Sequence, residues 1–239
     1  MATNYTYIDY GGYHIIKTKA SNIRLVSLNR QYGENKYIRD AKDALGKPYY
    51  GMNASFFNTS NSDLCNIAYQ DGKPVGPGTQ GSTNASGCGA SIVCWNKSKL
   101  KLYDGVTSGS SSYIPTLRGT WAQGGINLNL WDTNWENKFK EHGDPGLLDG
   151  ISARTGILIN TNSNEVYLFM TPAINQTVAD YRNAVINYIK YFEKSSGTKW
   201  QAMLTDGGAS AQMVCADVDV QVLLKNRPVP QIIALKDTN

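Results

Sequence analysis

The sequence predicts an α+β protein: a single domain with a mixed or antiparallel β-sheet core and a few packed helices. Most apolar residues fall in short runs separated by Gly- and Asn-rich turns, which is typical of strands. Only residues 177–194 carry a long helical pattern. The 239 residues are 41% hydrophobic and show no linker, repeat or charge block, so residues 1–239 are predicted to form one domain.

The first half of the chain is predicted to be mainly β. Residues 5–10 and 13–17 flank Gly11-Gly12 as a hairpin, and residues 23–28 form a third strand. Residues 34–45 have a helical apolar stripe that ends at Gly46 and Pro48. Residues 49–58 read as a strand, and residues 59–89 as a long functional loop with a short strand at 64–69.

The second half alternates strands with one long helix. Residues 90–95 and 99–103 predict a hairpin, residues 125–131 a half-buried strand, and residues 131–149 a surface excursion. Strands are expected at 151–159, 166–170, 200–204, 218–224 and 231–235. Thr177, with Asp180 three residues later, caps the helix at 177–194.

Composition and charge exclude several classes of function. The net charge of +4 comes from 23 basic and 19 acidic residues scattered along the chain, so no nucleic acid partner is expected. No apolar run approaches the roughly 20 residues that span a bilayer, and the N-terminus lacks the apolar segment of a signal peptide. We therefore expect a cytoplasmic protein, one released by lysis or carried on a virion, or a mature secreted form. Six Asn-x-Ser/Thr sequons favour a bacterial or phage origin. The pattern predicts no oligomeric state.

The cysteines and histidines do not predict a zinc site or a His-based triad. Cys94 and Cys215 follow valines in apolar runs and are expected in the core, whereas Cys65 and Cys88 flank the Gly-rich loop and either pair or stay free. With two histidines, acid and base chemistry falls to carboxylates. No cofactor is expected to be required, and any bound divalent ion is expected to be oxygen-ligated, like Ca²⁺.

The motif Thr205-Asp206-Gly207-Gly208-Ala209-Ser210 follows the apolar run 200–204. This order places the Asp206 carboxylate at the end of a buried strand, before two glycines that permit a sharp turn. We expect the amides of residues 208–210 to donate to an anion. The alternative is an ordinary Asp-Gly turn.

Two further polar residues interrupt apolar strands. Asn53 must bond either the fold or a ligand. Arg154 must pair with an acid in a structural ion pair or with a phosphate or carboxylate of a ligand, because burying an unpaired guanidinium is costly.

Taken together, these motifs resemble the phosphodiester glycosidase family over roughly residues 13–236. The resemblance rests on residues 53–57 (NASFF), 151–158 (ISARTGIL), 205–210 (TDGGAS) and 227–229 (RPV), in this order. Ala54, Ser55, Gly156 and Ala209 depart from the family pattern but keep small side chains.

The resemblance implies hydrolysis of a small-molecule or polymeric glycosyl phosphodiester at the anomeric C–O bond. It assigns catalysis to Asp206 as base or nucleophile, to Arg154 on the phosphate and to Asn53. The implied substrate-binding residues are Gly207, Gly208, Ser210, Thr155, Phe57 and Arg227.

Three points remain open in the sequence. A second carboxylate, if one is used, would be Asp149 or Asp63. The same pocket could instead serve a phosphodiesterase that cleaves the P–O bond of cell-wall polymers or nucleotides. The chain could also be a non-catalytic glycan-binding or virion module.

Overall fold

The computed structural model describes residues 4–41, 49–114, 119–221 and 226–236. The strands in these ranges are β1 (Tyr5–Tyr10), β2 (Tyr13–Lys19), β3 (Ile23–Ser27), β4 (Gly51–Asn53), β5 (Ala68–Gln70), β6 (Lys73–Pro74), β7 (Ser91–Trp95), β8 (Leu100–Tyr103), β9 (Trp121–Asn127), β10 (Thr155–Asn160), β11 (Glu165–Met170), β12 (Trp200–Thr205), β13 (Gln212–Val214), β14 (Asp219–Gln221) and β15 (Gln231–Leu235).

These strands form two antiparallel sheets. The larger sheet has the order β1-β2-β11-β10-β12-β9-β5-β6, and the β7-β8 hairpin joins it through β9. The smaller sheet has the order β14-β13-β4-β15-β3. The described helices are α1 (Leu28–Tyr32), α2 (Ile38–Ala41), α3 (Trp135–His142), α4 (Pro145–Asp149) and α5 (Val178–Asn187), which a π-helical turn, Tyr188–Phe192, extends.

The two sheets pack face to face because alternate side chains of each point inward. Ile157 and Met203 of the larger sheet share one core with Met52, Met213 and Ile233 of the smaller. This shared core makes the two sheets one packed unit.

Helices cover the outer faces of both sheets. On the larger sheet, Leu158 and Leu204 pack against Phe139 of α3 and Tyr181 of α5. On the smaller sheet, Ile232 and Val214 pack against Leu28 of α1 and Ile38 of α2. The result is four layers in the order helix, sheet, sheet, helix.

The α+β class and the antiparallel sheet core predicted from the sequence are confirmed. The β1-β2, β7-β8 and β10-β11 hairpins lie within a few residues of their predicted positions, and β15 matches its prediction. Helix α5 begins at the predicted cap, where the side chains and backbones of Thr177 and Asp180 bond each other reciprocally. Cys94 and Cys215 are buried, as expected. That residues 1–239 form a single domain stays a prediction.

Several elements differ from the prediction. The strand at 49–58 is limited to β4, and the chain then runs irregularly past Ala54. Residues 131–149 contain α3 and α4, and Phe139 of α3 is fully buried. Strand β9 begins at Trp121 and is buried on both faces up to Ile126, because a sheet and a helical layer cover it.

Two predictions extend past the described ranges. The end of the first predicted helix at Leu45, Gly46 and Pro48 lies outside them, as do residues 222–224 of the penultimate strand. Within the ranges, Lys36 forms a β-bridge with Val229, so helical structure begins at Ile38 and not at residue 34. None of the described helices combines the length and apolar character that crossing a bilayer requires.

Candidate active site

Asp206 is the first residue beyond β12, and its backbone is tied to two other segments. Its N–H donates to the carbonyl of Ala54 at 2.9 Å, and its carbonyl accepts from Asn53 Nδ2 and from Thr155 Oγ1. The Thr155 and Thr205 hydroxyls are also 2.8 Å apart. Asp206 therefore lies where β4 and β12 end and β10 begins.

The two glycines after Asp206 make a tight turn against residue 153. A Cβ at Gly207 would lie 2.3 Å from the Ala153 carbonyl oxygen, so no larger residue fits there. Gly208 has φ +58° and donates its N–H to the same carbonyl at 2.8 Å. The Ser210 amide donates to the Gly207 carbonyl. The prediction that the amides of residues 208–210 cradle an anion is therefore wrong for Gly208 and Ser210, because the turn itself uses them.

The Asp206 carboxyl has a strongly shifted pKa. Burial raises the pKa from 3.8 to about 7, and the Ser210 side chain, the Arg227 charge and the Gly207 N–H only partly oppose this increase. The Ser210 hydroxyl is fully buried, and its oxygen lacks a partner of standard hydrogen-bond geometry within the described residues. At neutral pH the carboxyl therefore populates both its protonated and its ionised form, which suits a group that exchanges protons with a substrate or water.

Arg154 precedes β10 and is only 4% exposed. Its Nε donates to the Gln176 carbonyl at 3.2 Å, and its Nη2 donates to the carbonyls of Leu147 and Gly150. No carboxylate pairs with it among the described residues, so the structural ion pair considered from the sequence is not formed. Desolvation lowers the pKa of the guanidinium, which nonetheless remains charged at neutral pH.

Arg227 is the second arginine near Asp206. Its guanidinium lies over the Phe57 ring, 5.7 Å from the ring centroid, while its backbone N–H donates to the Ala209 carbonyl at 2.9 Å. Its Nε is buried, and no described residue accepts a hydrogen bond from it. Unlike Arg154, whose Nε and Nη2 bond backbone carbonyls, Arg227 has an Nε that no described residue satisfies.

A cavity of about 290 Å³ brings these groups together. Asp206, Arg154 and Arg227 line it with the Gly207-Gly208 turn, and α4 forms one wall. The remaining lining residues are Phe56, Gly146, Leu147, Gly150, Ile151, Ser152, Leu204 and Thr205. Larger cavities exist, such as one of about 430 Å³ beside Asp104 and Trp131, so volume does not distinguish this site. The Asp206 carboxyl, with its raised pKa and the Arg227 charge acting on it, does distinguish it.

Five of the nine residues predicted for the site therefore line one cavity, and four lie behind it. Asn53 and Thr155 are buried and bond the Asp206 backbone, so they fix its position. The Asn53 carbonyl oxygen also accepts from the Gln212 N–H at 3.0 Å, which leaves this side chain occupied by the fold. The Phe57 ring packs against the Arg227 guanidinium, and the Ser210 side chain lies next to the Asp206 carboxyl.

The proposed second carboxylates do not reach the cavity. Asp149 and Asp63 are both exposed, and neither lines it. Asp63 instead accepts hydrogen bonds from Asn61 and Gln80. Asp206 is thus the one carboxyl among the described residues that lines the cavity.

A metal site was also considered from the sequence. Within the described ranges, no group of three or more His, Cys, Asp or Glu side chains lies close enough together to hold a metal ion. The expectation of an oxygen-ligated ion stays a prediction.

Sequence reasoning missed part of the wall. Asp144 caps α4 by accepting from the Gly146 N–H at 2.8 Å, and Pro145 follows at the first helical position. This Asp-Pro pair is a helix-start signal that was present in the sequence. Phe56 and Ser152 also line the cavity; they belong to the motifs at 53–57 and 151–158 but are not among the predicted site residues.

The site belongs to an α+β protein in which the ends of strands from two stacked antiparallel sheets meet around one acid. Of the solved structures similar to it, the catalytic domain of zebrafish N-acetylglucosamine-1-phosphodiester α-N-acetylglucosaminidase, described as auto-inhibited by its pro-peptide, has a TM-score of 0.66. The two are 13% identical, and the match covers 98% of this chain and 81% of that one.

A hypothetical protein from Synechocystis is similar with a TM-score of 0.52 and 10% identity, over 96% of this chain and 61% of that one. No family model matches the sequence, and no curated protein matches it. The chain therefore shares its fold with these proteins, and at these identities the likeness extends no further than the fold.

Proposed function

We propose that the protein is a hydrolase that cleaves glycosyl phosphodiesters at the anomeric C–O bond. The observation that carries the proposal is the cavity that the Asp206 carboxyl lines together with Arg154 and Arg227. The fold shared with a domain named as a phosphodiester α-N-acetylglucosaminidase supports the same class of substrate.

The two arginines would bind the phosphate of the substrate. Arg227 supplies the more direct contact, because its Nε is buried without a partner and its charge already acts on Asp206. Arg154 contributes a buried positive charge that no carboxylate neutralises among the described residues, and its hydrogen bonds to Leu147 and Gly150 fix the wall formed by α4.

Asp206 would act as the general base of a single displacement. A phosphate leaves without needing a proton, so the reaction requires one proton acceptor and no acid. Water attacks the anomeric carbon and gives its proton to Asp206, while the C–O bond breaks and its electrons stay on the phosphate oxygen. A single displacement inverts the anomeric configuration. Since the ionised form is the base, kcat/KM should rise as pH increases through about 7.

The first experiment is a screen of glycosyl phosphodiesters, followed by hydrolysis of any substrate in ¹⁸O-labelled water. The label should appear on the sugar, and proton NMR at early times should detect the inverted anomer. Label on the phosphate would identify a P–O phosphodiesterase. Retained configuration with a sugar adduct on Asp206 would make this residue a nucleophile. Ligand binding without turnover would identify a binding module.

A matched pair of variants links the activity to the cavity. Asp206→Asn should reduce kcat by about three orders of magnitude, since it removes the only proton acceptor assigned to the step. Asp149→Asn changes an exposed carboxyl on α4 that does not line the cavity, and it should keep nearly full activity. Equal losses in both variants would contradict the assignment.

A further inference from the structure

Cys65 and Cys88 form a thiol pair that the proposed reaction does not use. Both are free and half-buried, and their side chains hydrogen-bond each other. They lie far apart in sequence, so the contact depends on how the intervening loop folds.

The backbone around the two cysteines fixes this contact. The Cys65 carbonyl accepts from the Ala85 N–H at 2.7 Å, and the Cys88 N–H donates to the Ala85 carbonyl at 3.1 Å. Asn66, which is fully buried, donates its side-chain amide to the Cys88 carbonyl at 2.8 Å. Both ends of the loop are therefore held by the same short network.

The thiol pair adjoins the candidate active site. The Cys65 N–H donates to the Phe56 carbonyl at 2.8 Å, and the Asn66 side chain accepts from the Phe56 N–H at 2.9 Å. Phe56 lines the cavity that contains Asp206. The Asp206 carboxylate is also close enough to both thiols to disfavour their ionisation.

We propose that Cys65 and Cys88 are a redox-active dithiol that closes reversibly to a disulfide and thereby changes the charge next to Asp206. The oxidant is a low-molecular-weight disulfide of the glutathione type. The Cys65 thiolate attacks one sulfur of the oxidant, forms a mixed disulfide and releases one thiolate. Cys88 then loses its proton and attacks the Cys65 sulfur, so that the second small thiol leaves. In total, the protein gives up two electrons and two protons, and the oxidant becomes two thiols.

The charges around the pair assign the two roles. The hydrogen bond from Cys88 lowers the pKa of Cys65, against the opposing effects of burial, Asp206 and Asp63. The same bond, burial, Asp206 and Asp144 raise the pKa of Cys88. Cys65 is therefore the thiol of the pair that ionises more readily, and it attacks first, as low-pKa thiols do in exchange reactions.

Closing the disulfide removes the Cys65 thiolate from the neighbourhood of Asp206. Because charge repulsion is reciprocal, Asp206 should then ionise at a lower pH. This consequence for catalysis rests on the proposed function, whereas formation of the disulfide does not.

The first test is oxidation of the full chain with excess oxidised glutathione, followed by mass spectrometry and peptide mapping. We expect the loss of two hydrogens, a Cys65–Cys88 linkage, and full reversal by a reducing thiol. Cys88→Ser should stop at the glutathione adduct on Cys65, and Cys94→Ser should behave as the parent protein does. Four free thiols after prolonged oxidation, or a linkage through another cysteine, would overturn the proposal.

The second test measures the link to Asp206 without any substrate. The rate of Cys65 alkylation by iodoacetamide is followed against pH in the parent protein, in Asp206→Asn and in Asp149→Asn. The midpoint in the parent should lie below that of an ordinary thiol, move to lower pH in Asp206→Asn, and stay in place in Asp149→Asn. An unchanged midpoint in Asp206→Asn would separate the thiol pair from the site, whether or not the protein is a glycosidase.

Discussion

At the scale of single residues, Asp206 is a half-buried ionisable group whose surroundings penalise its charge. Its pKa is about 7 in the folded protein and about 3.8 when exposed, so between these values the native state binds more protons than the unfolded state. Stability must therefore fall as pH rises through this interval. A group that destabilises the fold at working pH is typical of a functional site.

We predict that Asp206→Asn removes this pH dependence. Near pH 4 the variant and the parent should have similar free energies of unfolding. By pH 8 the parent should be less stable than the variant by at most about 4 kcal/mol, the cost of ionising the buried carboxyl. Urea unfolding at several pH values measures the difference, with Asp149→Asn as the exposed control. A difference that stays constant with pH would contradict the burial argument.

Three arginines, Arg154, Arg182 and Arg227, permit a comparison between structural and ligand-binding roles. Arg182 resembles Arg154, because it donates to the carbonyls of Leu128, Asn129, Leu130 and Asp132, but it does not line the candidate site. Arg227 is the opposite case, a guanidinium that lines the site and leaves its Nε without a described acceptor. The three residues therefore separate a structural from a ligand-binding role.

Replacement of each arginine by lysine should give three different results. Arg182→Lys should lower stability by about 1–3 kcal/mol and leave activity per folded molecule unchanged. Arg227→Lys should reduce kcat/KM by at least about tenfold with little change in stability, because a point charge replaces a planar fork. Arg154→Lys should reduce both. Thermal melts and kinetics on a substrate from the screen make the comparison, and full activity in Arg227→Lys would remove that residue from phosphate binding.

At the scale of elements, the turn after β12 depends on Gly207 for space alone. The φ of Gly207 is −119°, which any residue adopts, but an added Cβ would lie 2.3 Å from the Ala153 carbonyl. Gly207→Ala should therefore lower stability by about 1–3 kcal/mol and also displace Asp206, with loss of activity. Gly11→Ala is the control, since Gly11 has φ +58° in open space, so that only backbone strain is added. A stable, active Gly207→Ala would refute the close approach.

The sequence predicted elements well where local signals agree with packing. The Gly11-Gly12 hairpin and the Thr177 cap depend on interactions within a few residues, so propensity and capping rules identify them. The prediction of a surface excursion at residues 131–149 is wrong, because the burial of Phe139 depends on packing against β9, which lies far from it in the local sequence pattern. Burial of both faces of β9 similarly depends on distant elements, which single-sequence periodicity cannot detect.

The candidate site divides in the same way. Asp206, Gly207 and Gly208 come from one motif whose strand-to-turn pattern indicates their position directly. The partners of Arg154 could not be predicted, because its acceptors are backbone carbonyls of residues 147, 150 and 176, which carry no side-chain signal. The free Nε of Arg227 and the contact between Cys65 and Cys88 likewise exist only in the folded chain.

At the scale of the whole molecule, the site requires both sheets. Asp206 follows β12 of the larger sheet, whereas Ala54 follows β4 of the smaller sheet. The Ala54 carbonyl accepts a hydrogen bond from the Asp206 N–H. A buried polar network joins the sheets nearby. Gln231 of β15 donates to Gln123 of β9 at 3.1 Å and accepts from the Ser55 N–H at 2.9 Å, and Gln123 also donates to the Ser55 hydroxyl.

This network should be cooperative, which a double-mutant cycle can measure. Gln231→Leu leaves the Ser55 N–H and the side-chain oxygen of Gln123 without partners, and Gln123→Leu removes an acceptor from the Gln231 amide and a donor from the Ser55 hydroxyl, so each should cost about 1–3 kcal/mol. The double variant replaces the amide pair by apolar groups and should cost less than the sum by about 1 kcal/mol. The control is Gln201, whose side chain accepts from the Leu102 N–H outside this network. The stability losses of Gln201→Leu and Gln231→Leu should therefore be additive. If the Gln123 and Gln231 changes are also additive, the glutamine pair does not couple the two sheets, and Asp206 should keep its pKa in the double variant.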